Sequence, residues 1–351
     1  MTRSFQIVDF DECFNAVSGK ATMDVLDRAA VLSVASGSER NFPAAQFSTM
    51  AGESLMFGHM GFIPGVGMAV KTGMQVPGNR SVGLDTVQGS VLLFDADTGV
   101  PQALVDGRAI TVMRTAGALV AGIREVLNQQ EIRREPIAPL KVAVIGYGAQ
   151  GRQVAKLARE VLNVEMISVF NRSKLTSAEG VEQADSVTEA VEGADIIACA
   201  TSSLEPVLSI DDVCAARRTS RSGGVVVASL NSYQPNTSEL DPRIIDASNT
   251  IHLDIDDPLK FGPVSNSKFG RRNAGDFDSE TAPTVMLLGQ RVSEKFGDQS
   301  ASFAESAVRT VLIGGHGLQD ALLAWSVTMG WPTIEASTRG YTGSDDSGIA
   351  R

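Results

Sequence analysis

Three observations predict an α/β chain, with a doubly wound parallel sheet in its second half and a mixed α+β part around it. From Lys141 onward, short apolar strands alternate with helical stretches. A glycine-rich turn joins the first of those strands to the first helix. Residues 1–125 instead mix strand and helix patterns around a hairpin and one long helical face. Alternation at these lengths is the pattern of a parallel sheet with helices on both faces.

Taken in order, the first informative element is VGMAVKTGMQV, Val66–Val76, a strand-like run whose one charge is Lys71. Its ammonium either snorkels to water along the edge of the run or meets an anion, because an unpaired buried ion is costly. GSVLLFD, the turn ADTG and VPQALVD form a hairpin in which Asp97 and Gly99 supply the turn chemistry. Next, Ala116, Leu119, Val120, Ile123, Val126 and Leu127 fall on one helical face. Thr111 is the expected N-cap, which puts Arg114 in the first turn.

After the polar, proline-bearing connector NQQEIRREPIAPL come KVAVIG with its helix, EMISVFNRS, the helical SVTEAVEG, ADIIACATSS, GGVVVASLNS and TIHLDIDD. Pro263–Pro283 is polar and glycine-bearing and reads as a long loop. LQDALLAWSVTM is the last helix, and GYTGSDDSGIAR a loose tail.

Composition excludes several function classes. A length of 351 residues suits two domains. With 41 acidic against 30 basic residues and a formal charge of −11, the chain suits neither nucleic acid nor an anionic membrane surface. Cys13, Cys199 and Cys214 are far apart and read as reduced thiols of a cytoplasmic protein. The start, MTRSFQIVDFDECF, carries charges where a leader needs an apolar core. No uncharged run reaches the roughly 18–20 residues of a membrane span. His59, His252 and His316 are scattered, so no metal site is expected.

In VAVIGYGAQG, Gly146, Gly148 and Gly151 occupy the places of GxGxxG. A strand before and a helix after supply the context in which this motif cradles a dinucleotide pyrophosphate at a helix N-terminus. Ala149 and Gln150 complete the turn, and Thr201, Ser202 and Leu230, after later strands, join the candidate cofactor-binding set. About 20 residues on, NAD sites place a carboxylate for the ribose hydroxyls. Asn171, Arg172 and Ser173 stand there instead, and a guanidinium suits a 2′-phosphate. NADP(H) is therefore preferred, with NAD(H) as the alternative.

The order of motifs resembles the ornithine cyclodeaminase/mu-crystallin family. The matching features are Lys71 before the hairpin, MRTAGAL at Met113–Leu119, GYGAQG, SELDPRIID and GLQDALLA. The resemblance implies a substrate-binding and dimerisation domain over residues 1–130 plus 318–351, around an inserted NAD(P)-binding Rossmann domain over 131–317. It also implies a homodimer, and a substrate carboxylate held by Lys71 and Arg114 beside the nicotinamide. Two departures stand out. The family's further arginine has only a displaced counterpart in Arg40. The aspartate that activates the amine in cyclodeaminases falls at Tyr233, in SLNSYQPN, where no carboxylate is present.

Without that base, redox-neutral ring closure of ornithine is disfavoured. The expected activity is NAD(P)H-dependent reduction of a small imino acid, or amino-acid dehydrogenation in reverse, with Lys71, Arg114 and Tyr233 as candidate catalytic residues. The partners expected are small amino, imino or 2-oxo acids. A cyclodeaminase-type lyase and a cofactor-retaining binding protein are the alternatives.

Overall fold

The computed structural model describes residues 4–35, 44–131, 139–175, 180–220, 224–232, 234, 237–272, 283–289 and 307–339. The chain divides into two compact units, Met1–Arg114 with Gly315–Arg351, and Thr115–Gly314.

The first unit is built on a six-stranded sheet. Its strands are β1 (Gln6–Val8), β2 (Ala44–Ala51), β3 (Ser54–Ile63), β4 (Gly67–Gln75), β5 (Val87–Asp95) and β6 (Pro101–Asp106), in the order β1-β6-β5-β4-β3-β2. Neighbours are antiparallel except β1 and β6. The β5–β6 hairpin forms where Asp97 and Gly99 place it. Helices α1 (Phe10–Ala16) and α2 (Gly19–Ala35) also belong to this unit.

Helix α3 (Gly107–Glu131) follows β6 directly. Its first turn is fixed by Asp106, whose Oδ1 accepts from the N–H groups of Arg108 and Ala109. This corrects the expected N-cap: Thr111 lies inside the helix and donates its hydroxyl proton to the Gly107 carbonyl at 2.6 Å. Arg114 is thus beyond the first turn, where the helix dipole has little hold on an anion.

The second unit carries eight parallel strands: β7 (Leu140–Ile145), β8 (Val164–Phe170), β9 (Glu182–Gln183), β10 (Ile196–Cys199), β11 (Val225–Ser229), β12 (Thr250–Leu253), β13 (Thr284–Leu287) and β14 (Val308–Leu312). Their order is β13-β12-β14-β11-β10-β7-β8-β9. Helices α4 (Ala149–Val161), α5 (Val187–Val191), α6 (Ile210–Thr219) and α7 (Pro242–Asp246) fall between them. The core gathers Ile145, Ile197, Cys199, Val227, Leu240, Ile251 and Leu312. Both faces of these strands are buried, so they are apolar throughout and do not alternate. The chain is thus an α/β protein with a Rossmann sheet.

Two expectations change. The stretch read as a loop opens with helices α8 (Gly262–Asn266) and α9 (Lys268–Arg272). Pro263 tolerates the first turn of α8 because its missing N–H would be unbonded there. The carboxylate of Asp246 accepts from the N–H groups of Lys268 and Phe269 at the start of α9. Residues 273–282 and the tail from Gly340 lie outside the described residues. The last expected helix is α10 (Gly317–Met329), and a further one, α11 (Trp331–Thr338), follows it. Among the described residues, no helix is long and apolar enough to cross a membrane.

Candidate active site

In the first unit, the antiparallel register of β3 and β4 sets His59 directly opposite Lys71. Strand alternation turns both toward the face covered by α10, because residues of one parity share a face. Helix α10 lies close on β3: a Cβ at Gly61 would run into the Gly317 carbonyl, and a Cβ at Gly317 into that of Met60. This closeness brings Asp320 to the two strands. Lys71 Nζ donates to Asp320 Oδ1 at 2.8 Å, and His59 Nδ1 lies 2.7 Å from Asp320 Oδ2. Arg114 Nε is 3.4 Å from Oδ1, buried and without a hydrogen-bond acceptor.

The cluster is dry. Lys71 and Asp320 are each 1% exposed and Arg114 is 7% exposed, whereas the His59 side chain keeps 13%. Lys71 also lies 5.8 Å from the centroid of the Phe57 ring, within cation–π range. Burial lowers the Lys71 pKa to about 8, with Asp320 pulling it up and the Arg114 cation pushing it further down. Burial works to raise the Asp320 carboxyl, but Lys71, Arg114 and the His59 contact together hold it well below the usual carboxylate range. Two cations face one carboxylate, so the cluster keeps one positive charge and an unbonded guanidinium N–H. It is suited to receive one carboxylate.

In the second unit, the three glycines meet three different demands. Gly146 has φ +94°, and a Cβ there would press on the Ala200 carbonyl at 2.7 Å. A Cβ at Gly151 would overlap the Gly146 carbonyl, so this glycine seats α4 on β7. A Cβ at Gly148 would meet nothing within 4 Å, so no contact within the protein requires glycine there. That open side fits a pyrophosphate that must approach the backbone, and no side chain caps the N-terminus of α4. Ala149 and Gln150 open the helix beside it.

At the end of β8, Asn171 Oδ1 accepts from the N–H of Tyr147 at 3.0 Å, and its Nδ2 donates to the Ser173 carbonyl at 2.9 Å. Asn171 thereby ties the glycine turn to the β8 loop. Arg172 and Ser173 are exposed, and none of the described residues pairs with the Arg172 guanidinium. After β10 and β11, Thr201 and Leu230 are brought together by Glu239. This buried carboxylate accepts from the N–H and hydroxyl of Thr201, the Ser229 hydroxyl, and the N–H groups of Leu230 and Asn231. Burial raises its pKa and these donors oppose the rise. Ser202 is exposed beside Thr201. Arg40 and Tyr233 lie outside the described residues. Among the described residues, no group of three His, Cys, Asp or Glu side chains could hold a metal ion.

Asp320, His59 and Glu239 are the residues that sequence reasoning missed. Asp320 had a visible signal, since GLQDALLAWSVTM carries it as its only charge, as the strand around Lys71 carries only Lys71. Two lone opposite charges in two apolar elements are natural partners. His59 interrupts SLMFGHMGFI in the same way.

Comparison with known proteins places these features in a family context. The model of the ornithine cyclodeaminase/mu-crystallin family matches residues 55–268. A Delta(1)-pyrroline-2-carboxylate reductase of Bacillus cereus is 27% identical over 195 residues, covering 52% of this chain and 55% of that protein. This chain thus spans about half the length of these curated relatives. Thermococcus litoralis Delta(1)-pyrroline-2-carboxylate reductase, solved with NADH and L-proline, superposes with a TM-score of 0.72 at 20% identity, over 98% of this chain and 100% of that one. A probable ornithine cyclodeaminase from Bordetella pertussis gives 0.71 at 22% identity, over 96% and 99%.

Proposed function

The chain belongs to the ornithine cyclodeaminase/mu-crystallin family, and on that premise we propose that it reduces a small, carboxylate-bearing imino acid with NAD(P)H. The substrate class is a cyclic ketimine of the pyrroline-2-carboxylate kind, or an imine formed from a 2-oxo acid and an amine. The observation that carries this reading is the buried cluster of Lys71, Arg114 and Asp320, whose surplus positive charge and unbonded Arg114 Nε–H call for an anion. When bound, the nicotinamide supplies the hydride that the imine carbon receives. Arg114 and Lys71 orient the substrate through its carboxylate, and the glycine turn with the β8 loop holds the cofactor. Positioning of the reactants accounts for much of the acceleration.

NADP(H) is the preferred cofactor, because Arg172 is the exposed cation at the end of β8 and Asn171 stands where a carboxylate would bind the ribose. The protein acts as a homodimer, a reading supported by the apolar outer face of its first sheet. There Phe47, Met56, Met60 and Met74 are all exposed on the side away from α10. Cys13, Cys199 and Cys214 are free thiols, which supports a reducing, cytoplasmic setting.

The test is a panel of cyclic imines, 2-oxo acids with amines, and L-amino acids, assayed with NADPH and NADP at 340 nm. Oxidation of NADPH by at least one imino acid is expected. Ammonia release from ornithine with no net change at 340 nm would make the protein a lyase instead. Tight NADPH binding without turnover of any member would make it a binding protein. Arg114→Ala should cost roughly 10- to 150-fold in kcat/KM, the worth of a charge-assisted hydrogen bond, and leave cofactor affinity unchanged.

A further inference from the structure

Glu239, the acid of SELDPRIID, is fully buried, and its carboxylate joins two loops of the parallel sheet. Oε1 accepts from the N–H and the hydroxyl of Thr201, just after β10. Oε2 accepts from the Ser229 hydroxyl at 2.9 Å and from the N–H groups of Leu230 and Asn231 at 3.2 and 2.8 Å, at the end of β11. Three of these donors are backbone N–H groups, which can only donate, and between them they meet both oxygens. Both oxygens therefore act as acceptors, as in the ionised carboxylate. Asn231 adds a second tie between the same loops, its Nδ2 donating to the Ser203 carbonyl at 2.8 Å. The backbone of Glu239 is anchored in turn, since its carbonyl accepts from the N–H groups of Val207 and Leu208.

The place of these loops in the sheet gives the tie its meaning. Strand β7 has β8 on one side and β10 on the other, with β11 beyond β10. In such sheets a dinucleotide lies across the carboxyl ends of the strands, at the point where the order reverses, with one half over each side. The glycine turn and the loop from Asn171 to Ser173 belong to the β7–β8 side, which suits the pyrophosphate and the adenosine. The loops after β10 and β11 belong to the other side, which leaves them the nicotinamide half. They adjoin the glycine turn, because a Cβ at Gly146 would come within 2.8 Å of Thr201 Cγ2. Resting on the NAD(P)H reading above, we propose that Glu239 is a positioning residue for the nicotinamide half of the cofactor, acting through the Thr201 and Leu230 loops that it holds together. With these loops ordered beforehand, binding the nicotinamide half does not have to order them.

The test is Glu239→Gln, read by calorimetric titration with the whole cofactor and with its adenine half. An amide keeps one acceptor oxygen, so the N–H of Thr201, or those of Leu230 and Asn231, must face an NH₂ group. The whole cofactor, whichever of NADPH and NADH the wild type binds more tightly, should bind the variant roughly 5- to 150-fold more weakly, the worth of a buried donor left without an acceptor. The matching half, 2′-phosphoadenosine 5′-diphosphate or ADP, should change by less than about twofold, as for a distant and independent contact. If Glu239→Gln fails to fold, Asn231→Ala decides. It removes only the tie to Ser203 and should weaken the whole cofactor, again without touching the half. Equal losses for the two ligands would make Glu239 a merely structural residue of the second unit and overturn the proposal. No loss for either would overturn it as well, while the NAD(P)H reading stands. A wild type that binds neither dinucleotide overturns that reading and the proposal with it.

Discussion

At the scale of single residues, the Lys71–Asp320 pair is a device for function more than for stability. Two ions taken out of water lose hydration that their mutual attraction repays only in part. Removing the carboxylate leaves Lys71 and Arg114 buried without a counter-charge, so Asp320→Leu should cost about 3–5 kcal/mol in urea unfolding. The double change Lys71→Met with Asp320→Leu strands only Arg114, so it should recover part of that loss and have no turnover. A double variant no more stable than the single one would show that packing, not charge, is at stake. The pH dependence has a definite sign. Against burial, which raises it, Lys71, Arg114 and His59 hold the Asp320 carboxyl well below the usual carboxylate range in the folded state, so the stability it contributes is fully present above the unfolded carboxylate pKa of about 4 and is lost as pH falls below that. Between pH 6 and 3 the wild type should therefore lose stability more steeply than the double variant.

At the scale of elements, the β8 loop and the start of α4 form one recognition surface, because Asn171 is bonded to the turn through Tyr147. If Arg172 pairs with a 2′-phosphate, Arg172→Ala should weaken NADPH binding roughly 10- to 150-fold, the worth of a charge-assisted hydrogen bond. NADH binding should change less than about twofold, since no 2′-phosphate is lost. Equal effects in fluorescence titrations with the two cofactors would remove the case for NADP. These elements were legible because their signals are local: apolar runs, a glycine turn and the residues one strand later. The start of α3 was misplaced for a local reason too, since Asp106 competes with Thr111 as a cap and only the hydrogen bonds show which one serves. Helix α9 was hidden because its cap, Asp246, lies 22 residues upstream of Lys268. The pairing of Lys71 with Asp320 spans 249 residues and depends on how α10 packs on β3. Each charge is conspicuous in its own element, yet nothing in either stretch names the other. Glu239 gives no local signal, because its five donors come from Thr201, Ser229, Leu230 and Asn231 at the ends of two other strands.

At the scale of the whole molecule, the first sheet presents an asymmetry that a solitary chain would not tolerate well. One face is covered by α10, whose residues from Gly317 to Val327 are all buried. The other carries Phe47, Met56, Met60 and Met74, exposed by 53, 39, 39 and 38%, on three adjacent strands, with Ile7 at 73% on β1 across the sheet. Single exposed apolar residues are ordinary, but a contiguous patch of them marks an interface. A second copy of the same sheet is the natural cover, because most soluble oligomers pair like surfaces about a twofold axis. A stable pair needs about 1,200–2,000 Å² of buried surface, and six strands side by side at about 4.8 Å spacing are wide enough to supply it. Wild-type protein should accordingly sediment at twice 37.0 kDa. Met60→Glu places a charge at the middle of the patch, where leaving it unpaired in an interface costs several kcal/mol. It should shift the equilibrium to monomer at micromolar concentration while the far-ultraviolet circular dichroism stays unchanged. A wild type that sediments as a monomer would leave the apolar face without its proposed cover.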